Sequence, residues 1–197
     1  MTVGRSRAPR CATWRGARAL ALALGVAFAP GGAAEAPRAP LGRVERPAIL
    51  VRKAKRELVL LSGTRPVRTY RIGLGAEPVA PKRRQGDNAT PEGAYRVCVK
   101  NPQSRFTLSL GLSYPGGADA DRALAEGRIT RRQHERIHVA ERRKGIPPWD
   151  TPLGGEIFIH GGGSGSDWTW GCVALDDEDV RELYAAVPVG TPVTIEP

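Results

Sequence analysis

No apolar stretch in this 197-residue chain is long enough to cross a bilayer as a helix. The longest, Ala19–Ala29, holds eleven residues. Cysteine is scarce, at three residues, and that excludes a disulfide scaffold. Aromatic residues make up only 6%, and no helix-turn-helix or zinc-finger spacing occurs. The chain therefore lacks the base-stacking platforms and reading elements of a nucleic-acid binder. Acidic residues are in the minority, 20 against 30 basic ones, and no internal repeat is present.

The first apolar run explains part of that imbalance. Arg5, Arg7, Arg10, Arg15 and Arg18 precede it, and small residues follow up to Ala34. This order predicts a secretory signal peptide over residues 1–34, with an uncleaved anchor as the alternative. Cys11 would leave with it. The remaining 163 residues carry a net charge of +5 instead of +10, because five arginines and no acids are removed. That length suits one domain. Residues 35–45, rich in proline and charge, read as a linker. The predicted domain is 46–197, a monomer exported to the periplasm or cell envelope. Its basic blocks (52–56, 82–84, 131–136 and 142–144) favour an anionic partner and suit peripheral association with the envelope. No nucleic-acid partner is expected.

Short alternating runs dominate this domain. Strands are predicted at 49–51, 58–61, 67–74, 95–100, 106–116, 157–159 and 192–195. Helices are predicted at 119–126, 129–144 and 177–186. Asp176 would cap the last, whose apolar stripe is Leu175, Val180, Leu183, Tyr184 and Val187. The fold class is mainly β, with two or three helices at the edges. In Tyr95–Lys100 the alternation puts Cys98 with Arg96 and Lys100 on the more polar face. An unpaired surface thiol is expected there, with a bridge to Cys172 as the rival.

The stretch IFIHGGGSGSDWTWGCVAL (157–175) carries chemistry. A strand delivers His160, and five glycines lie between it and Cys172, twelve positions on. Three arrangements fit: a thiol nucleophile with its base, a metal site, or a packed corner with a disulfide. For the first, the glycines permit a return loop that turns Cys172 toward His160. An imidazole takes the thiol proton, and inward N–H groups of Gly171 and Cys172 would hold the oxyanion. Asp167, Asp176 or a backbone carbonyl could orient His160.

A second motif competes. His134-Glu135-Arg136-Ile137-His138 is a formal H-E-x-x-H, the zinc-binding helix of a metallopeptidase. Glu156, eighteen residues past His138, is a candidate third ligand. The segment ITRRQHERIHVAERRKG has too few apolar residues for a packed zincin helix. The expected reading is a solvated, arginine-laced helix without metal, or an inserted lid or basic rim.

His160-Gly161 and Thr169-Trp170-Gly171-Cys172-Val173, in this order after GDNATPEG (86–93), resemble the signature of the L,D-transpeptidase catalytic domain of the YkuD type. The resemblance spans roughly 46–197. It implies that family's β-sandwich of mixed sheets. It also implies peptidoglycan stem peptides as partners, with Cys172 as nucleophile, His160 as general base and no metal or organic cofactor. Catalytic roles would fall to Cys172, His160 and Gly171. Trp170, Trp168, Thr169 and Gly161 would contact substrate. Asp87, Thr90, Pro91 and Gly93 would shape a loop. Two positions depart from the family pattern: Trp170 replaces a histidine and Ala174 an arginine. The implied reaction is acyl transfer. Hydrolysis of the same bonds is the alternative, and an inactive wall-binding module or a zinc metallopeptidase ranks lower.

Overall fold

A computed structural model of the chain describes residues 38–197. The expected signal peptide and the first part of the expected linker lie outside them. Among the described residues, no helix is long and apolar enough to cross a membrane.

The described residues hold eight strands, joined in one sheet, and three helices. In chain order the strands are β1 (Pro47–Arg52), β2 (Glu57–Ser62), β3 (Arg65–Arg71), β4 (Gly93–Asn101), β5 (Ser109–Leu112), β6 (Phe158–His160), β7 (Val173–Ala174) and β8 (Pro192–Glu196). The helices are α1 (Gly117–Ala125), α2 (Arg131–Arg142) and α3 (Asp177–Ala186). The spatial order is β3-β2-β1-β8-β4-β5-β6-β7. Neighbours run antiparallel except β1 with β8 and β6 with β7. The sheet curls. Just beyond β3, Gly73 exchanges two backbone hydrogen bonds with Ala174 of β7, of 2.9 and 2.8 Å, so the two edges meet. A side chain at position 73 would put its Cβ 2.2 Å from the Ser166 carbonyl, which is why glycine sits there.

Period-two alternation builds the core. Val193 and Ile195 of β8 are buried between exposed Pro192, Thr194 and Glu196. Ile49, Val51, Leu58, Leu60, Val97, Leu110, Ile159 and Val173 join them inside the curl. Burying each such aliphatic side chain contributes about 1.5–3 kcal/mol. Val180 and Leu183 of α3 close one side of this core, as the predicted stripe requires. Asp176 occupies the N-cap position of α3 but makes no capping bond. Its carboxylate takes the Ser164 N–H and hydroxyl instead.

The mainly β architecture with edge helices agrees with the sequence reading. Two elements differ most. The strand expected over 106–116 shrinks to β5, because Thr107 adopts φ 69° and breaks extension. Two-residue β7 was not anticipated; no alternation is visible in so short an element. Helices α1 and α2 form an excursion between β5 and β6 with a small apolar cluster of their own: Ala120, Ala123, Ile129, Ile137 and Leu153. Thr130 and Gln133 form a capping box at the start of α2.

Candidate active site

Parallel pairing of β6 and β7 sets the site. Ile159 faces Val173 and His160 faces Ala174. Cys172 therefore enters its strand beside Phe158, on the same face of the sheet as His160 and diagonal to it. Ile159 and Val173 turn the opposite way into the core. His160 and Cys172 both line a cavity of about 970 Å³, with Arg105, Phe106, Trp149 and Trp170 among its walls.

The imidazole is held firmly. His160 is buried, and its Nδ1 lies 2.6 Å from the Gly161 carbonyl oxygen. Phe106 stacks on the ring at 4.5 Å between centroids, and Trp168 meets it edge-on at 5.6 Å. Burial pushes the His160 pKa below its ordinary value. The Gly161 carbonyl opposes that shift, and the charge of Arg105 reinforces it.

The thiol of Cys172 donates to the Glu156 carbonyl at 3.6 Å, and the Phe158 N–H points at the sulfur from 3.4 Å. Burial pushes the thiol above its ordinary pKa, against the Phe158 N–H and the charge of Lys82, both of which favour thiolate. Both shifts favour the neutral forms, imidazole and thiol, over an ion pair. Cys172 and Cys98 are both free. Cys98 is half-buried in β4 rather than exposed, and burial raises its thiol pKa as well.

The turn that carries Cys172 is braced from two sides. The buried Thr169 hydroxyl accepts the Gly171 N–H at 3.1 Å and donates to the Cys172 carbonyl at 2.8 Å. The Gly171 amide, expected to face an oxyanion, is thus engaged by Thr169. Gly171 has φ 121°, and a Cβ there would stand 2.6 Å from the Ala89 carbonyl oxygen. Ala89 belongs to GDNATPEG, so the two separated motifs meet directly beside Cys172. Asp87 shapes that loop by accepting from Lys82 Nζ and the N–H groups of Arg83, Arg84 and Ala89. Thr90 accepts the Gly75 N–H.

The other candidates separate. Trp170 is 79% exposed and lines the cavity. Trp168 packs on His160 and Phe106, and its Nε1–H donates to the Gly163 carbonyl at 3.1 Å. Neither Trp168, Thr169 nor Gly161 lines the cavity. Asp167 orients no histidine: it binds Arg56 through both carboxylate oxygens and takes the Leu74 N–H, anchoring the glycine-rich loop. Ala174 is fully buried and brings no charge to the site. Sequence reasoning missed Arg105 and Phe106, which looked like the start of a strand, and the Glu156 carbonyl, which carries no side-chain signal.

Helix α2 contributes none of the cavity's lining residues; the returning segment between Trp149 and Phe158 does. The H-E-x-x-H histidines face α1. Asp121 Oδ1 lies 2.6 Å from His134 Nε2 and 2.8 Å from His138 Nε2. Glu156, the candidate third ligand of that motif, lies at the Cys172 cavity instead.

Comparison with known proteins gives a family and several folds. Residues 46–195 match the family described as YkuD, the L,D-transpeptidase catalytic domain. No curated protein matches. The structure is similar to the helical cell shape determining protein Pgp2 from Campylobacter jejuni, with a TM-score of 0.53 at 21% identity, covering 76% of this chain and 47% of that one. It is also similar to an L,D-transpeptidase from Xylanimonas cellulosilytica, with a TM-score of 0.46 at 18% identity, covering 81% of this chain and 63% of that one. A third is Bd1075 from Bdellovibrio bacteriovorus, with a TM-score of 0.47 at 22% identity and coverage of 78% and 48%. The chain spans less than two thirds of each of these structures.

Proposed function

The chain belongs to the L,D-transpeptidase catalytic domain family, and from that premise we propose that it transfers peptidoglycan stem peptides through a thioester on Cys172. The observation that carries this reading is the convergence of His160 and Cys172 on one cavity, with the Gly161 carbonyl holding Nδ1. A carbonyl only accepts hydrogen bonds, so Nδ1 bears the proton and Nε2 keeps its lone pair.

The steps follow from these atoms. Cys172 Sγ turns from the Glu156 carbonyl and passes its proton to His160 Nε2. The thiolate attacks the carbonyl carbon of a stem-peptide L-centre, and its oxygen becomes an anion. The Cys172 amide is the candidate donor for that oxyanion, since Gly171 gives its own to Thr169. As the anion collapses, the C–N bond breaks and the leaving D-amino acid takes the proton from His160. A thioester remains. An acceptor amine then attacks it, His160 takes the amine proton, the C–S bond breaks, and the sulfur recovers its hydrogen.

Trp170 walls the cavity where the family places a histidine. Arg105 brings a positive charge to the same cavity, and so serves the carboxylate of a stem. Export to the envelope and peptidoglycan as partner belong to this proposal.

Product analysis tests it. Purified muropeptides are incubated with the protein and resolved by mass. Crosslinked dimers or amine-exchanged stems are expected. Shortened stems alone, under abundant acceptor amine, would replace transfer by L,D-hydrolysis through the same two residues.

A further inference from the structure

The chain has three histidines. One is His160; the other two stand together on α2, outside the cavity. His134 and His138, one helical turn apart, have ring centroids 4.4 Å apart. Their Nε2 atoms converge on Asp121 Oδ1 from the neighbouring helix α1, and the three atoms lie within 4.8 Å of one another. We infer that Asp121, His134 and His138 form a binding site for a borderline divalent ion of the zinc class, clamping α1 to α2.

The donor set selects the ion. Two imidazoles and one carboxylate suit zinc and its late first-row neighbours, whereas magnesium and calcium prefer oxygen alone. Tetrahedral bonds of about 2.0–2.1 Å put ligand atoms roughly 3.3 Å apart, so the Asp121 oxygen would draw back from its 2.6 and 2.8 Å contacts by about half an ångström or more, and the two Nε2 atoms, within 4.8 Å of each other, would settle to the same spacing. Asp121 is largely exposed and both histidines are partly so, which leaves an entry path and room for water as fourth ligand. A supporting carboxylate is at hand. Glu141 Oε2 stands 4.0 Å from His138 Nδ1, and its other oxygen is fixed by the Gly117 N–H at 3.0 Å.

The helix pair has use for such a clamp. Ile137 is the only residue of α2 that is buried, and the local apolar cluster is small. Apolar packing alone anchors α2 weakly. The chain leaving α2 runs on through Trp149 and Glu156 to form a wall of the Cys172 cavity. A metal bond across α1 and α2 would stabilise the base of that wall.

The role is structural rather than hydrolytic. Glu135, the base of a zinc peptidase helix, is bound by Arg142 at 2.8 Å. It lines a separate cavity with Arg132, Arg136 and Val139, away from the histidine face.

The test uses untagged full chain, stripped with a chelator and titrated with zinc by calorimetry and thermal denaturation. One equivalent should bind. The melting temperature should rise by roughly 5–10 °C at a hundredfold excess over Kd. Magnesium should produce no rise. Cys172→Ala should keep the response, which separates this site from the His160–Cys172 pair. His134→Ala and His138→Ala should lose it, each compared with and without zinc so that a lower starting stability does not enter. An unmodified chain that shows no saturable binding and no thermal shift overturns the inference, whatever the variants do. Equal zinc binding by a His134→Ala/His138→Ala double variant overturns it as well.

Discussion

The carbonyl oxygen of Gly161 lies 2.6 Å from Nδ1 of His160, the residue immediately before it. The backbone thus does what a carboxylate does beside many catalytic histidines: it fixes the tautomer and leaves Nε2 as the acceptor. It does so without adding a negative charge beside the ring. An imidazolium at this position is therefore poorly stabilised, in a pocket closed by Phe106 and Trp168.

This predicts an acid limb displaced downward. His160 must be neutral to take a proton, and burial holds its pKa below the ordinary imidazole value. The pH profile of kcat/KM for thioester formation should then rise at a pH below that value and be flat through neutrality. Arg105 destabilises the imidazolium further. Arg105→Ala should move the acid limb upward, toward the ordinary value. A limb already above that value in the unmodified protein would contradict the neutral-pair arrangement.

Thr169 should act through the turn that carries Cys172, the proposed nucleophile. Thr169→Val keeps the shape but leaves the Gly171 N–H without its acceptor in a buried place. An unsatisfied buried amide costs about 1–3 kcal/mol. Thermal denaturation should show the corresponding fall, and kcat should drop more than KM changes. Thr169→Ser should recover most of both. A Thr169→Val protein with unchanged stability would show that the hydroxyl does not brace the turn.

The two tryptophans of the loop should dissociate. Trp170 is exposed and walls the cavity, so Trp170→Ala should change stability by no more than about 0.5 kcal/mol while raising KM for stem peptides. Trp168 packs on the His160 ring, the proposed general base, so Trp168→Ala should lower both stability and kcat. Steady-state kinetics with thermal melts on the two variants decides; identical behaviour would contradict these placements.

The strands and the three helices were legible because alternation and helical stripes repeat over several residues. β1, β2, β4 and β8 enclose their expected cores. β7 was not legible, since two residues carry no period. Within the site, His160 and Cys172 could be picked out by residue type and spacing, and a backbone carbonyl stood among the candidates to orient the ring, but which carbonyl could not be read. The Gly161 and Glu156 carbonyls belong to the backbone, which every residue shares. The engagement of Gly171 by Thr169 depends on a turn that becomes defined only when Ala89 packs beneath it. The H-E-x-x-H spacing was visible, yet its acidic neighbour lies upstream in α1 rather than downstream at Glu156. That pairing is set by how α1 packs on α2, which local sequence does not encode.

Intact-protein mass spectrometry of the protein mixed with a tetrapeptide stem in reducing buffer tests the central claim most directly. Cys172 should gain one acyl group, equal to the donor minus its leaving D-amino acid. Cys172→Ala should gain none, and added acceptor amine should discharge the adduct into crosslinked product. A folded, reduced protein that never acquires that mass would contradict Cys172 as the nucleophile.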